Sequence, residues 1–591
     1  MNKKRLYMVH AQGRYGENCY IPLSVGVLWA YARTFKDITD AYEMVDFLYL
    51  KESIEVAVAR LENPQLLALA HYLWNAEWNK AFAQAVKAKF PSCVIIVGGV
   101  QVPDESPRIL EEQPYFDFGV YGEGEGAFAD FLREHAGDQH YWDVGSLIWK
   151  NDGEICVNPR HAFTDLAELR SPYLDGVFDE LWSREPRWQV LQESNRGCGV
   201  GCHFCAWGQA AQNKLRLLPI ERVNAESEWF GQHKVIYVDQ ADANFAVVKR
   251  DIDITKHLVA VKEKYGYPHT FRTSFAKNSN DTVWEIANIL HDAKMLKSVT
   301  LAMQSMDDGV LVAIHRKNIK YNKFGELIKR YESAGIPTYT ELIIGLPEET
   351  LDTFLNGIDS NLEAGQHSGL FCYLNLCLEN TEQRKPEYMK MYGLRALPMK
   401  AMLSHGTPDN TVPREMQDII VETAAMSHED WKRAWLYSKV IEVFHAQGLL
   451  QNVAIACHAR GLKYRDFYTQ LIDWMRANPD TVAGRQLAAL EKLLDGVLAG
   501  GLWDCMDVRF GEISWPPEEF AFARICLELD TFYDEVEMFL TTLPLDIETI
   551  VKQREVISEP WDDTVAWAQE VIWYQRKGNA AKLRQARTGG E

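Results

Sequence analysis

"NRGCGVGCHFCAWG", residues 195–208, places Cys198, Cys202 and Cys205 in one glycine-loosened segment with CxxxCxxC spacing. Soft thiolates at this spacing suit an iron–sulfur cluster in which one iron is left without a protein ligand. A structural zinc site needs a fourth Cys or His at matched spacing, and none lies nearby. His203 sits between two of the thiols and reads as a loop residue. The alternative is three unrelated buried cysteines.

The cysteine segment follows a strand-like run, Gln189–Gln192, which opens a series of alternating elements. Further strand-like runs are Val235–Val238, Thr270–Ser274, Val299–Met303, Tyr339–Ile344 and Phe371–Cys377, with helical segments such as "DIDITKHLVAVKEKY" and "FGELIKRYESAG" between them. These βα units predict an open or partial (βα)6 barrel, with its site at the strand C-termini. The cysteines fall where the first catalytic loop belongs.

Upstream, apolar runs at Leu6–Val9, Met44–Leu50, Leu66–Leu73 and Val94–Val97 alternate with helix-like "PLSVGVLWAYAR" and "AEWNKAFAQAVKAKF". This pattern predicts a doubly wound, Rossmann-like parallel sheet that binds its ligand at the carboxyl ends of the strands. Two glycine turns fall there, "VGGVQVP" (97–103) and "VYGEGEG" (120–126). Neither is GxGxxG, so a dinucleotide is a weak reading. Beyond residue 410 the spacing becomes helical, as in "REMQDIIVETAAMSHEDWKRAWLYSKVIEVFHAQGLL" and "YRDFYTQLIDWMRANP". The α/β chain thus divides into a Rossmann-like domain (1–140), a linker (141–187), a barrel (188–400) and a C-terminal mainly helical domain (401–591).

The length of 591 residues calls for several domains, and 47% apolar with 25% charged residues is ordinary for a globular chain. With 62 basic against 83 acidic residues the net charge is −21, which argues against a nucleic-acid partner. No run long and apolar enough for a membrane span occurs, and "MNKKRLYMVH" is unlike a signal peptide. The expectation is a cytoplasmic protein without membrane contact. Its eleven cysteines then read as reduced thiols.

"CGVGCHFC", with Phe204 before the last cysteine, resembles the signature of the radical S-adenosylmethionine (SAM) superfamily. The first domain resembles that of its cobalamin-dependent branch, through "YLWN" (72–75), "GGVQVP" (98–103) and "YGEGE" (121–125). "DANF" (242–245), "RD" (250–251), "KN" (277–278), "QS" (304–305), "HRKN" (315–318) and "TELIIGLPEET" (340–350) continue the likeness in order. It covers roughly residues 1–470. Departures are Glu348 in place of a glycine, Ala246 after "DANF", and "LENTEQRKPEYM" (378–389) in place of an LPN-type turn.

The resemblance implies three cofactors: a 4Fe-4S cluster on Cys198, Cys202 and Cys205, SAM on the open iron, and cobalamin. It implies SAM partners at Gln304, Ser305 and Glu341, which are otherwise satisfied strand-end groups. Asp242 and Asn244 would orient cofactor or substrate, or cap a turn. Gly98, Gly99, Gly122, Glu123 and Gly124 would line the cobalamin pocket, or simply make tight turns. At the lower face of cobalt, His10 in "MVHAQG" lacks the usual aspartate, with Met8 in its place; His71 and Trp74 are alternative neighbours. The implied activity is cobalamin-dependent radical methylation of an unactivated carbon, or a phosphinate phosphorus, in a small molecule or peptide. A flavodoxin or ferredoxin would supply electrons. The same cofactors could instead serve a non-methylating cyclisation, rearrangement or oxidation.

Overall fold

The computed structural model describes residues 3–14, 16–207, 212–276, 281–367, 369–541, 543, 563–568 and 571. The "KN" pair at 277–278 lies outside the described residues, as does much of 542–591. The chain forms two compact units: Met1–Lys297 with Cys377–Lys385 and Asp409–Met416, and Ser298–Leu376 with Pro386–Pro408 and Gln417–Glu591.

The first unit is built on strands β1 (Lys4–Gln12), β2 (Asn18–Tyr20), β3 (Tyr42–Leu50), β4 (Leu66–Ala70), β5 (Val94–Gly98), β6 (Phe118–Val120), β7 (Leu147–Asn151) and β8 (Glu154–Val157). All but β2 form one sheet in the order β3-β1-β4-β5-β6-β7-β8, parallel through β6. Strand β1 is buried from Leu6 through Gln12, and every residue of β4 is buried. Strands apolar without alternation must be covered on both faces. Trp78, Phe82, Ala83 and Val86 of the helix Ala76–Lys89 pack with Val9, Leu67, Leu69, Ile95 and Val97 on one side. The helix Leu23–Ala32 lies against β1, β4 and the helix Glu125–Ala136. This is the expected doubly wound, Rossmann-like layer.

Two expectations need correction here. The run Leu66–Leu73 leaves the sheet after Ala70, because Tyr72 N–H turns to the Asn75 side chain (2.8 Å). Residues 141–187 are more than a linker, since β7 and β8 extend the sheet antiparallel from β6. Buried Leu147 and Ile148 carry this extension.

This unit also holds β9 (Arg187–Gln192), β12 (Tyr237–Phe245) and β13 (Thr270–Phe275), the first three of the predicted βα strands. Between the first two, β10 (Asn195–Arg196) and β11 (Arg216–Leu217) form a short antiparallel ribbon. The larger sheet runs β13-β12-β9-β2 and is parallel, with β2 joining its edge. Strand β12 begins two residues later than the apolar run suggested and continues through "DANF".

The second unit holds a three-stranded parallel sheet of its own, β14 (Val299–Gln304), β15 (Thr338–Ile344) and β16 (Leu370–Leu374). Helices His428–Val440, Tyr464–Ala477, Val482–Leu498, Pro517–Cys526 and Leu529–Leu540 make up most of its C-terminal half. The start of the long helical reading is a strand instead: β17 (Arg395–Lys400) pairs with β18 (Met416–Glu422). Ile419, Ile420 and Val421 are β-branched, and their stiff side chains favour the pleated surface. Segment 409–416 belongs to the first unit, where Glu415 accepts from Glu77 N–H (2.7 Å) and Lys51 Nζ (2.7 Å). Among the described residues no single helix is long and apolar enough to cross a membrane.

Candidate active site around the cysteine loop

The cysteine loop grows from the ribbon β10–β11, whose register pairs Asn195 with Leu217 and Arg196 with Arg216. Asp242 of β12 fixes the base of this stem. Its buried carboxylate accepts from Ser194 N–H (2.7 Å), Asn195 N–H (3.1 Å), Asn195 Nδ2 (2.7 Å) and the Ser194 hydroxyl. Burial pushes its pKa up to about 6, and the donors around it oppose that shift. Arg250 holds both ends of the segment, donating to Ser194 O and Leu218 O at 2.6 Å each. Asn244 Nδ2 donates to Cys198 O (3.3 Å), and Gln383 N–H donates to His203 O (3.1 Å). Asp242 and Asn244 therefore organise the loop.

Cys202 is buried, and Cys198 and Cys205 are partly exposed. Cys205 N–H closes a turn on Cys202 O (3.1 Å). Gly197 has φ +87°, and a Cβ there would run into Lys214 O. The stem thus closes only with glycine at this position. Among the described residues no three His, Cys, Asp or Glu side chains converge as ligands of one ion would. Three thiols on one glycine-rich loop are soft donors of the kind an iron–sulfur cluster takes.

At the strand ends of the Rossmann-like sheet, Gly99 (φ +124°) leaves room for His71 O, which a Cβ would approach to 2.8 Å. Gly98 and Gly124 lie in the same two turns, and Gly122 (φ +76°) faces Arg160. Glu123 turns to Arg216 and Arg196. His71 is buried in the domain, its Nδ1 accepting from Asn79 Nδ2 (3.2 Å), its ring edge-on to Phe116. Trp74 is 49% exposed and stacks flat on Tyr72 (4.5 Å, 5°), which stacks on His10 (5.2 Å, 24°). His10 is held neutral by burial, with its pKa pulled down to about 3. Its Nδ1 meets the Ser24 hydroxyl (3.0 Å), and its Nε2 is buried without a partner. An exposed aromatic plate beside a buried imidazole whose Nε2 has no partner fits the floor of a large flat ligand.

In the second unit, Gln304 ends β14 at φ +64°, an uncommon conformation for a non-glycine residue. The turn is clamped: Arg316 donates to Ala302 O, and Asn318 Nδ2 to Met303 O (2.6 Å) and Ser305 O (2.9 Å). Ser305 donates to Glu349 (2.7 Å). Glu341 stands half-buried in β15, in register with Ala302 and Phe371. Gln304 and Glu341 thus stand on adjacent strands, and Ser305 follows directly on Gln304. Glu349 is fully buried, and burial pushes its pKa up to about 8.

Residues 193–359 match the family model described as the radical SAM superfamily. The chain is 34% identical over 569 residues to the cobalamin-dependent radical SAM methyltransferase TokK of Streptomyces tokunonensis, covering 92% of this chain and 83% of that protein. The chain belongs to the cobalamin-dependent radical SAM methyltransferases. It is likewise 34% identical over 575 residues to 2-(S-pantetheinyl)-carbapenam-3-carboxylate methyltransferase of Streptantibioticus cattleyicolor, covering 93% and 84%. The solved structure of the cobalamin-dependent SAM radical enzyme OxsB with aqua-cobalamin and SAM has the same fold, with a TM-score of 0.54 at 13% identity over 97% of this chain and 84% of that one. As a cobalamin-dependent radical SAM methyltransferase, this enzyme uses a 4Fe-4S cluster, SAM and cobalamin.

The sequence reading leaves out Arg216 and quotes Arg196, Glu125, Arg250 and Glu349 within motifs without giving them a role. A signal was present for Arg196, which directly precedes Gly197 and Cys198.

Two outcomes follow for this methyltransferase. Gly197→Ala should cut iron retention after anaerobic reconstitution severalfold, whereas Gly199→Ala, with φ +75° but open space around its Cβ, should keep most of it. Equal retention by the two would contradict the stem geometry. Glu349, raised from 4.5 to about 8, stabilises the fold fully below 4.5 and loses that contribution as pH rises through 8. Denaturant titrations should show stability falling over that window by up to ~1.4 kcal/mol per pH unit, and Glu349→Gln should flatten the slope. A slope unchanged in the variant would refute the assignment.

Proposed function

We propose that Cys198, Cys202 and Cys205 hold the cluster, and that Gln304, Ser305 and Glu341 bind SAM. The corrinoid is assigned to the strand ends of the Rossmann-like sheet, lined by Gly98, Gly99, Gly122 and Gly124, with Trp74 at the lower face of cobalt. The domain carrying it extends to Val157, because β7 and β8 complete the sheet. The loop anchors Asp242, Asn244 and Arg250 keep the thiolates in place. When bound, the cluster and SAM supply one-electron cleavage, and the corrinoid carries the methyl group.

Trp74 rather than His71 is assigned to the lower face because His71 is already bonded inside the domain, while Trp74 is exposed. His10 is buried beside the Tyr72–Trp74 stack, its ring centroid 5.2 Å from that of Tyr72 and 6.3 Å from that of Trp74. An indole N–H is a donor only, so Trp74 would cover a face of the corrinoid without supplying a ligand nitrogen. A flavodoxin or ferredoxin is the assigned electron donor.

For the substrate we propose a small carboxylate of the carbapenam type bearing a pantetheinyl thioether, methylated at an sp3 carbon. One observation carries this. The superfamily model ends at residue 359, yet the likeness to the two methyltransferases spans 92% and 93% of the chain, including the C-terminal helices. Similarity beyond the shared catalytic module points to a shared substrate shape.

With such a thioether, anaerobic turnover should give a product heavier by one CH2, with S-adenosylhomocysteine and 5′-deoxyadenosine in roughly equal amounts. Glu341→Gln should weaken SAM use without removing iron. 5′-Deoxyadenosine formed without S-adenosylhomocysteine would favour the non-methylating reading. No product from carbapenam thioethers, with turnover of another substrate class, would overturn the substrate assignment.

A further inference from the structure

The stem of the cysteine loop carries a pair of like charges. Arg196 and Arg216 stand directly opposite each other in the β10–β11 ribbon. Such a cross-strand pair repels unless acids lie between. Three do. Arg196 Nη2 meets Glu125 Oε1 at 2.8 Å and Glu193 Oε2 at 3.0 Å, and its Nη1 lies 3.9 Å from Glu123 Oε2. Arg216 forms a close pair with Glu123 Oε1.

The charges are largely removed from water: side-chain exposure is 15% for Arg196, 20% for Arg216, 10% for Glu123 and 6% for Glu125. Arg216 also lies over the Phe163 ring (4.2 Å) and donates to Thr164 O (3.3 Å). The cluster therefore joins three segments distant in sequence: the "YGEGE" turn, the 141–187 segment and the stem. Removing one member of a buried ion cluster leaves another charge without its partner, so the joint is stiff.

We propose that Glu123, Glu125, Arg196 and Arg216 are positioning residues that fix the cysteine loop to the glycine turn of the Rossmann-like sheet, holding the cluster and the corrinoid at one separation. This rests on the corrinoid assignment above. Glu123, expected in the cobalamin pocket wall, then acts through Arg216 and Arg196. Transfer of a methyl group to a short-lived substrate radical requires both cofactors to address the same substrate atom. A joint that slips would let SAM cleavage proceed without methylation.

The test uses the reconstituted holoenzyme with Glu123→Gln, Arg216→Gln and the double variant. Iron and corrinoid per chain should stay within about twofold of wild type. Pulsed EPR distances between the reduced cluster and cob(II)alamin should broaden, and product per 5′-deoxyadenosine should fall about tenfold. Because the two side chains act through one contact, the double variant should lose no more than about twofold beyond the worse single. If Glu123→Gln does not yield folded holoenzyme, Glu123→Asp, with its charge drawn back by one methylene, carries the same expectation. Unchanged distances and coupling in variants that retain both cofactors would overturn the proposal alone. Wild-type enzyme that never retains corrinoid would overturn the underlying assignment and the proposal together.

Discussion

Asp242 gives up its hydration to accept hydrogen bonds from the backbone and side chains of Ser194 and Asn195, the two residues where β9 hands over to the cysteine stem. A buried carboxylate is costly unless its lone pairs are filled, and here the donors that fill them are the loop's own base. Arg250 complements it by bonding the carbonyls on either side of the segment. A glycine-rich loop has much conformational entropy to lose, and these contacts absorb that loss before any cofactor arrives. Without them the thiolates would have no fixed origin.

The rest of the first unit can be understood as support for that origin. Asn380 accepts from Asp104 N–H (2.8 Å) and donates to Val100 O (3.1 Å) and Val102 O (3.0 Å), while Gln383 in the same segment reaches His203 O. The unusual "LENTEQ" turn thus ties the loop after β5 to the cysteine loop. In the second unit the "HRKN" side chains perform a similar service for the strained end of β14. Functional residues placed at strand ends need such second partners, because irregular backbone has no ladder to hold it.

Much of this was legible in the chain. Glycines flanking three cysteines announced a tight loop, and runs such as "LLALA", apolar without alternation, announced a sheet covered on both faces. The ion-pair partners were not legible: Arg216 finds Glu123 across 93 positions, and no local pattern encodes that meeting. Residues 141–187 looked like a linker because β7 and β8 are short and their antiparallel pairing breaks the βα rhythm. "MQDIIVE" (416–422) kept helical spacing but is a strand, since tertiary pairing with β17 outweighs local period. The roles of Asp242 and Asn244 were half-read: both were named, yet their partners lie in the loop.

The account stands on three thiolates holding a cluster whose open iron receives SAM. The most direct measurement is EPR of the anaerobically reduced, reconstituted enzyme, taken with and without SAM. The wild type should bind about four irons and show a reduced-cluster signal that changes when SAM is added, and the Cys198→Ala, Cys202→Ala, Cys205→Ala triple variant should show neither iron nor signal. A cluster signal that survives the triple change, or a wild-type signal indifferent to SAM, would contradict it.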